Sequence, residues 1–413
     1  MLLKNYVVWM VLLLFVACGW LSKSYGRVRP QSTKAVVAES NVPEELSQQV
    51  VEIFKDNCTL IGCHSGSDPR RELKLTKEAY LSTTVNQPSI DKPELMRVDP
   101  GKPDSSYLVM KIRGAENIKG VRMPFGRDPL AESKIDIIVE WINQLGPDTR
   151  VSEPQQFPVF PFNGWKVVNI PTTRTVESGR WYFLIGHRFL PKIEQGYDAF
   201  YGLNGSANIF LNVGYAFTDR FYVNMGRSNV NDNVEMNARY RFLAQSKDDK
   251  IPVSAAAQFS VNWISEKRRN KDRLRTETLK YSWQASISRQ IREGLSVIVV
   301  PGLLFNPNSE TASEEPLVTI GLGGKVDVYK TIALVGEWSP MVSGYTLTST
   351  FGNYNRFDTW AAGMEITVGG HVFHIVVTNS SGLTTDQYMR GGDLDIRKGD
   401  LRLGFNIFRI LNF

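Results

Sequence analysis

The sequence predicts two folded units, a small all-α domain followed by an antiparallel transmembrane β-barrel of about 12 strands. Three observations carry this. From residue 175 onward, runs of about ten residues alternate apolar and polar side chains between turn clusters. Between residues 46 and 148 the apolar spacing is helical instead. The stretch Pro154-Gln155-Gln156-Phe157-Pro158-Val159-Phe160-Pro161 separates the two textures and reads as an extended linker.

The chain of 413 residues exceeds one ordinary domain. It is 42% hydrophobic and 22% charged, which suits folded protein. A net charge of +6 with no dense basic stripe argues against nucleic acid as a partner. The cluster Lys267-Arg268-Arg269-Asn270-Lys271-Asp272-Arg273 reads as a solvated loop tip. At the N-terminus, Lys4 precedes an apolar run from Val7 to Ala17. That run is shorter than the ~20 residues a spanning helix needs and has the layout of a secretory signal. Residues 1–18 are therefore expected to be a signal peptide. Cys18, after Phe15-Val16-Ala17, resembles a lipobox cysteine; it is either lipidated or lost with the leader. Residues 19–45 read as a tether, 46–148 as the α domain, 149–174 as the linker and 175–413 as the barrel.

Within the α domain, Leu46, Val50, Ile53 and Phe54 share one helical face. A closing helix is expected from Glu132 to Leu145, with Ile135, Ile138, Val139, Ile142 and Leu145 on its buried face and Trp141 on the flank. Ser133 or Glu132 would cap it, and Gly146-Pro147 would stop it. Tyr107 to Ile112 reads as a short apolar helix or turn.

The chemistry concentrates in Cys58-Thr59-Leu60-Ile61-Gly62-Cys63-His64. Two thiols followed at once by an imidazole suit covalent attachment of a c-type haem, with His64 as proximal iron ligand. The usual gap between the cysteines is two residues; here it is four. Thioether sulfur suits the opposite axial position. Met123, in Arg122-Met123-Pro124-Phe125-Gly126, is the candidate, with Met110 and Met96 as rivals. The same cysteines could instead close a disulfide loop or join His64 in a zinc site.

Phe54, Gly62-Cys63-His64-Ser65-Gly66, Leu73-x-Leu75, Pro100-Gly101-x-Pro103-x-x-Ser106-x-Leu108, Met123-Pro124 and Trp141-Ile142 together resemble a monohaem cytochrome c domain of the Planctomycete and Bacteroidetes type. The resemblance implies one haem c per chain, held by Cys58 and Cys63 and ligated by His64 and Met123. A six-coordinate iron of that kind suits electron transfer rather than enzymatic oxygen chemistry. The four-residue gap departs from the common motif and bears on whether both thioethers form.

In the second unit, Asn237, Arg239 and Arg241 fall on one strand face and Ala238, Tyr240 and Phe242 on the other. Arg188, Arg227, Arg239 and Arg241 are expected to face the lumen, favouring anions there or pairing across a small barrel. His187, His371 and His374 read as strand or lumen polarity. Ile185-Gly186-His187-Arg188-Phe189, Met225-Gly226-Arg227-Ser228 and Gly369-Gly370-His371-Val372-Phe373 resemble an uncharacterised Bacteroidetes outer-membrane barrel family, and Phe413 resembles a terminal barrel-insertion signal. The expected function is a haem-binding electron carrier, not an enzyme. It would be anchored in the outer membrane with its cytochrome domain facing the periplasm and a redox partner nearby. The alternative is a porin or transport-type barrel with an accessory N-terminal domain.

Overall fold

The computed structural model describes residues 42–411 apart from 61–62, 67–68, 147–148, 150–156, 268–273, 275, 308–314, 330, 345–347, 350–351, 354–356 and 369. The expected leader with Cys18, most of the expected tether, Gly62, Pro147, the tip cluster from Arg268 and Phe413 lie outside the described residues. The chain divides into two compact units, one ending at Pro158 and one beginning at Val159.

Among its described residues the first unit has four α-helices: α1 (Glu44–Asn57), α2 (Tyr80–Thr84), α3 (Tyr107–Arg113) and α4 (Glu132–Gln144). Val50, Ile53 and Phe54 on α1 are buried with Ile135, Ile138 and Ile142 on α4. Trp141 was expected on the flank, but it is fully buried. Its ring stands perpendicular to Phe54 at 6.4 Å and tilts against Tyr80 at 5.8 Å. Edge-to-face packing of this kind lets one large ring reach three elements at once. Val139, by contrast, is only partly buried. No side chain caps α4, whose N-cap is Ala131, so neither Ser133 nor Glu132 serves there. α3 ends at Gly114, whose φ of 75° supplies the left-handed turn that stops the helix.

The second unit is a closed antiparallel barrel of twelve strands. In chain order they are β1 (Trp181–Phe189), β2 (Ala207–Thr218), β3 (Phe221–Ser228), β4 (Asn233–Leu243), β5 (Ser254–Ile264), β6 (Leu279–Arg292), β7 (Leu295–Phe305), β8 (Leu317–Tyr329), β9 (Ile332–Ser339), β10 (Thr359–Val368), β11 (His371–Thr378) and β12 (Arg402–Leu411). Each strand pairs with its sequence neighbours, and β12 closes on β1, with Trp181 opposite Leu411. Closure removes every free edge. The end of the barrel that carries both its termini has the short connections, such as Asp219-Arg220 and Glu293-Gly294; the long loops 190–206, 340–358 and 379–401 emerge at the other.

The alternation read from the sequence sets the two faces. Along β2, Asn208, Phe210 and Asn212 are 1%, 1% and 3% exposed, while Ile209, Leu211 and Val213 are 38%, 51% and 42% exposed. An apolar outer face with polar groups turned inward suits a barrel surrounded by lipid. Arg188, Arg239 and Arg241 point inward as expected. Arg227 does not: it lies on the exposed face of β3 near its end and pairs with Asp232 in the following turn. His187 stacks on Phe405 at 4.8 Å, and His371 on Phe373; only His374 of the three is buried.

Trp141→Ala removes the side chain that joins α1, α2 and α4, and such truncations cost about 3–5 kcal/mol. The helical circular-dichroism signal of the full chain should then melt well below that of the wild type, with the strand signal unchanged. Equal melting of the helical signal would refute the packing role assigned to Trp141.

Candidate functional site

Two places concentrate functional groups, one in each unit. In the first unit, α1 delivers Cys58 to the start of a loop that closes on itself. The His64 amide donates to the Cys58 carbonyl at 3.1 Å, and Leu75 N–H donates to the His64 carbonyl at 2.8 Å. Both thiols are free, so no disulfide joins them. Burial, with a smaller contribution from Cys63, pushes the Cys58 thiol up to about 12. Burial also raises Cys63, but Arg70 and Arg127 oppose the shift. Burial lowers His64 to about 4, against the opposing pull of backbone bonds to Leu73 and Arg70. The imidazole is therefore neutral near pH 7, the form that ligates metals. Its Nδ1 lies 3.2 Å from the Leu73 carbonyl oxygen. Such a bond orients a ligating histidine and leaves Nε2 as the coordinating atom.

Cys58 and Met123 pack against the same apolar core. Of the rivals to Met123, Met96 is exposed and Met110 half-buried. A cleft of about 700 Å³ is lined by Asn57, which precedes Cys58 in the chain, and by Pro124, Gly126, Arg127, Asp128 and Pro129, which follow Met123. Arg127 ties this loop back to the end of α1 by donating to the Asp56 carbonyl at 3.2 Å. Free thiols and a neutral, oriented imidazole fit the haem that the motif implies; the cleft is lined by none of Cys58, Cys63, His64 and Met123. Among the described residues, no three His, Cys, Asp or Glu side chains form a metal-holding group, so the zinc alternative gains no support.

The second place was not read from the sequence. Residues from 162 on, expected as linker, are packed inside the barrel. Trp165 to Thr172 form a short finger: Thr172 N–H donates to Trp165 O and Val167 N–H to Ile170 O, both at 3.0 Å. At its tip, the Glu337 carboxylate of β9 accepts from the backbone N–H of Val168 (2.9 Å), Asn169 (2.9 Å) and Ile170 (3.1 Å). Asn169 Nδ2 adds a fourth bond at 2.7 Å. Arg188 donates to Asn169 Oδ1 and Asn406 to Val168 O. At the base, Arg239 donates to Trp165 O at 3.0 Å and Thr172 O at 3.1 Å. Ile170 packs with Ile298, Val300, Tyr388 and Met389. Gly321 and Gly323 of β8 make its seat: a Cβ on either would come within 3.1 Å of the Ile170 side chain.

The 379–401 loop fills the lumen further. Its helix α5 (Thr385–Met389) is wholly buried. Asn233 donates to Asp386 and Tyr388 to Gln284, each at 2.8 Å. Lys166 of the finger donates to the Leu383 carbonyl, joining the two inserts at 3.0 Å. His374 pairs with Glu365, which also accepts from Asn163.

Residues 162–411 match the family described as a membrane-bound β-barrel domain, DUF5777. The chain belongs to this family. The barrel is therefore membrane-bound, and its exposed apolar face is the lipid face. The family region begins at the finger, so the finger is part of the domain. Among solved structures, the chain is similar to the KdgM porin, at 10% identity and a TM-score of 0.35, over 56% of this chain and 99% of that one. It is also similar to the COG4313 outer membrane channel from Pseudomonas putida F1, at 12% identity and a TM-score of 0.33, over 58% and 98%. The toluene transporter TbuX of Ralstonia pickettii follows at 8% and 0.26, over 57% and 89%. No curated protein matches the chain.

Thiolate is the reactive form of cysteine. In chain made without haem maturation, alkylation at pH 8 should label Cys63 ahead of Cys58. Labelling of Cys58 first would contradict the burial assigned to it.

Proposed function

We propose that the protein is an outer-membrane barrel of the transport type, closed in the state described by its own chain. The observation that carries this reading is the filling of the lumen. The inner face of the strand wall carries many buried polar side chains among apolar ones such as Phe210, Ile298 and Phe408, and two segments that belong to no wall strand occupy the lumen. They are fastened by hydrogen bonds to wall side chains, which water can replace when a segment leaves, and by apolar contacts of Ile170 with Ile298 and Val300 and of Trp165 with Tyr182 and Phe408. A barrel built only as an anchor has no need of so many buried polar wall groups around its inserts. By the usual polarity of such barrels, the end with the termini and short turns is periplasmic. The finger would then enter from the periplasm and the 379–401 loop from outside. In planar bilayers the full chain should pass little current. Replacing residues 165–172 by a Gly-Ser tract of equal length should give steady open channels. A folded variant that stays silent would end the transport reading.

A second reading is favoured by the His64 geometry: the N-terminal domain carries one haem c and acts as a periplasmic electron carrier. Cys58 and Cys63 would hold the group, His64 would orient through Leu73 and ligate through Nε2, and Met123 is the distal candidate. Bound haem would supply one-electron exchange with a redox partner at the membrane. Both readings are compatible in one chain. On a denaturing gel of protein expressed with haem maturation, a haem stain should mark the wild type and be lost or strongly reduced in Cys63→Ser. An unstained wild-type band would remove this reading and leave the barrel untouched.

A further inference from the structure

We infer that the solutes this lumen takes are oxyanions, and that finger oxygens occupy the places on Arg239 and Arg188 where an anion's oxygens would sit. The inference rests on the transport reading above. Arg239 is 3% exposed and Arg188 is fully buried. Buried guanidinium groups are ordinarily matched by carboxylates. These two are hydrogen-bonded to neutral oxygens instead. Arg239 donates to the finger carbonyls of Trp165 and Thr172, and to Gln258 Oε1 through Nε and Nη2. Arg188 donates to Asn169 Oδ1 at the finger tip, to Asn406 Oδ1 and to the carbonyls of His187 and Phe405.

When the finger withdraws, Arg239 loses two acceptors and Arg188 loses one. The fork geometry of a guanidinium then fits a planar or tetrahedral oxyanion, which offers paired oxygens and the missing negative charge. The wall as a whole leans the same way. Its buried cations, Arg188, Arg239, Arg241, Lys280, Lys325 and Arg402, outnumber its buried carboxylates, Glu235, Glu337 and Glu365, with Lys325 further paired to Asp327 and Arg402 to Asp393. The finger itself is held by the mirror arrangement. Glu337, a fixed anion, binds three successive backbone N–H groups, a nest of the kind that captures free anions. Glu337 and Arg188 thus hold the finger at its tip and Arg239 at its base.

The test is the reversal potential of the full-length chain with residues 165–172 replaced by a Gly-Ser tract, in asymmetric potassium chloride. The account expects chloride to permeate ahead of potassium, and Arg239→Ala in the same background to lower that ratio roughly threefold or more. Open channels that prefer potassium, or a ratio that Arg239→Ala leaves unchanged, would overturn the inference while keeping the transport reading. A folded variant without current would remove the transport reading itself. If the replacement does not give the heat-modifiable gel mobility of a folded barrel, Glu337→Ala, which releases the finger tip, carries the same measurement.

Discussion

The interior of this barrel depends on one carboxylate. Backbone N–H groups of a segment that pairs with no sheet need partners when buried, or each costs about 1–3 kcal/mol. Val168, Asn169 and Ile170 present three such groups in a row, and Glu337 meets all of them. Without that acceptor the finger tip would sit in the lumen unsatisfied, and Glu337 would be a buried charge with too few donors. Each answers the other's need, so the finger has one register and one depth. The side chains around it follow. Ile170 reaches a seat that Gly321 and Gly323 keep open, and Trp165 stacks on Tyr182 at 4.9 Å.

The wall can hold such a segment because its outer face needs nothing from its inner one. Lipid rewards apolar side chains at alternate positions, and closure satisfies the backbone. The inward positions are then free to vary between Asn, Ser, Gln, Arg and Glu according to what fills the lumen. This divides the barrel's energetics into a membrane term carried by residues such as Leu211 and an internal term carried by Glu337, Arg239 and Asp386. The second combines hydrogen bonds that water can replace with the apolar contacts of Ile170 and Trp165. In the N-terminal unit the ordering influence is different. The ring cluster of Phe54, Tyr80 and Trp141 fixes the helices, and the loop from Cys58 to His64 is shaped by its own backbone bonds.

The strands were legible in the sequence because period-two alternation survives wherever one face meets lipid, and the twelve of the barrel match the number expected. The helices α1 and α4 were legible for the corresponding reason at period 3.6. Trp141 was misplaced to the flank because periodicity assigns faces without knowing that three elements converge on a single ring. Arg227 was misplaced because charge was taken as a sign of the lumen, although the alternation of β3 puts it on the outward face with Met225, where it meets Asp232. The finger was not legible. A segment that is neither helix nor strand has no period, and the prolines before it read as a linker. One signal was present: Phe162, Trp165, Val167, Val168 and Ile170 make the segment too apolar to lie exposed. Its partner Glu337 looked like any charged strand residue, since what it binds is backbone, which leaves no mark in sequence.

The central claim is that the Glu337 carboxylate pins the finger inside the barrel. Hydrogen exchange at the amides of Val168, Asn169 and Ile170, measured on the full chain in detergent micelles, tests it most directly. The account predicts protection comparable to the barrel strands, lost when Glu337 is replaced by alanine. Exchange as fast as that of the exposed turn at Asp248 and Asp249 would contradict it, because those amides would then be meeting water rather than a carboxylate.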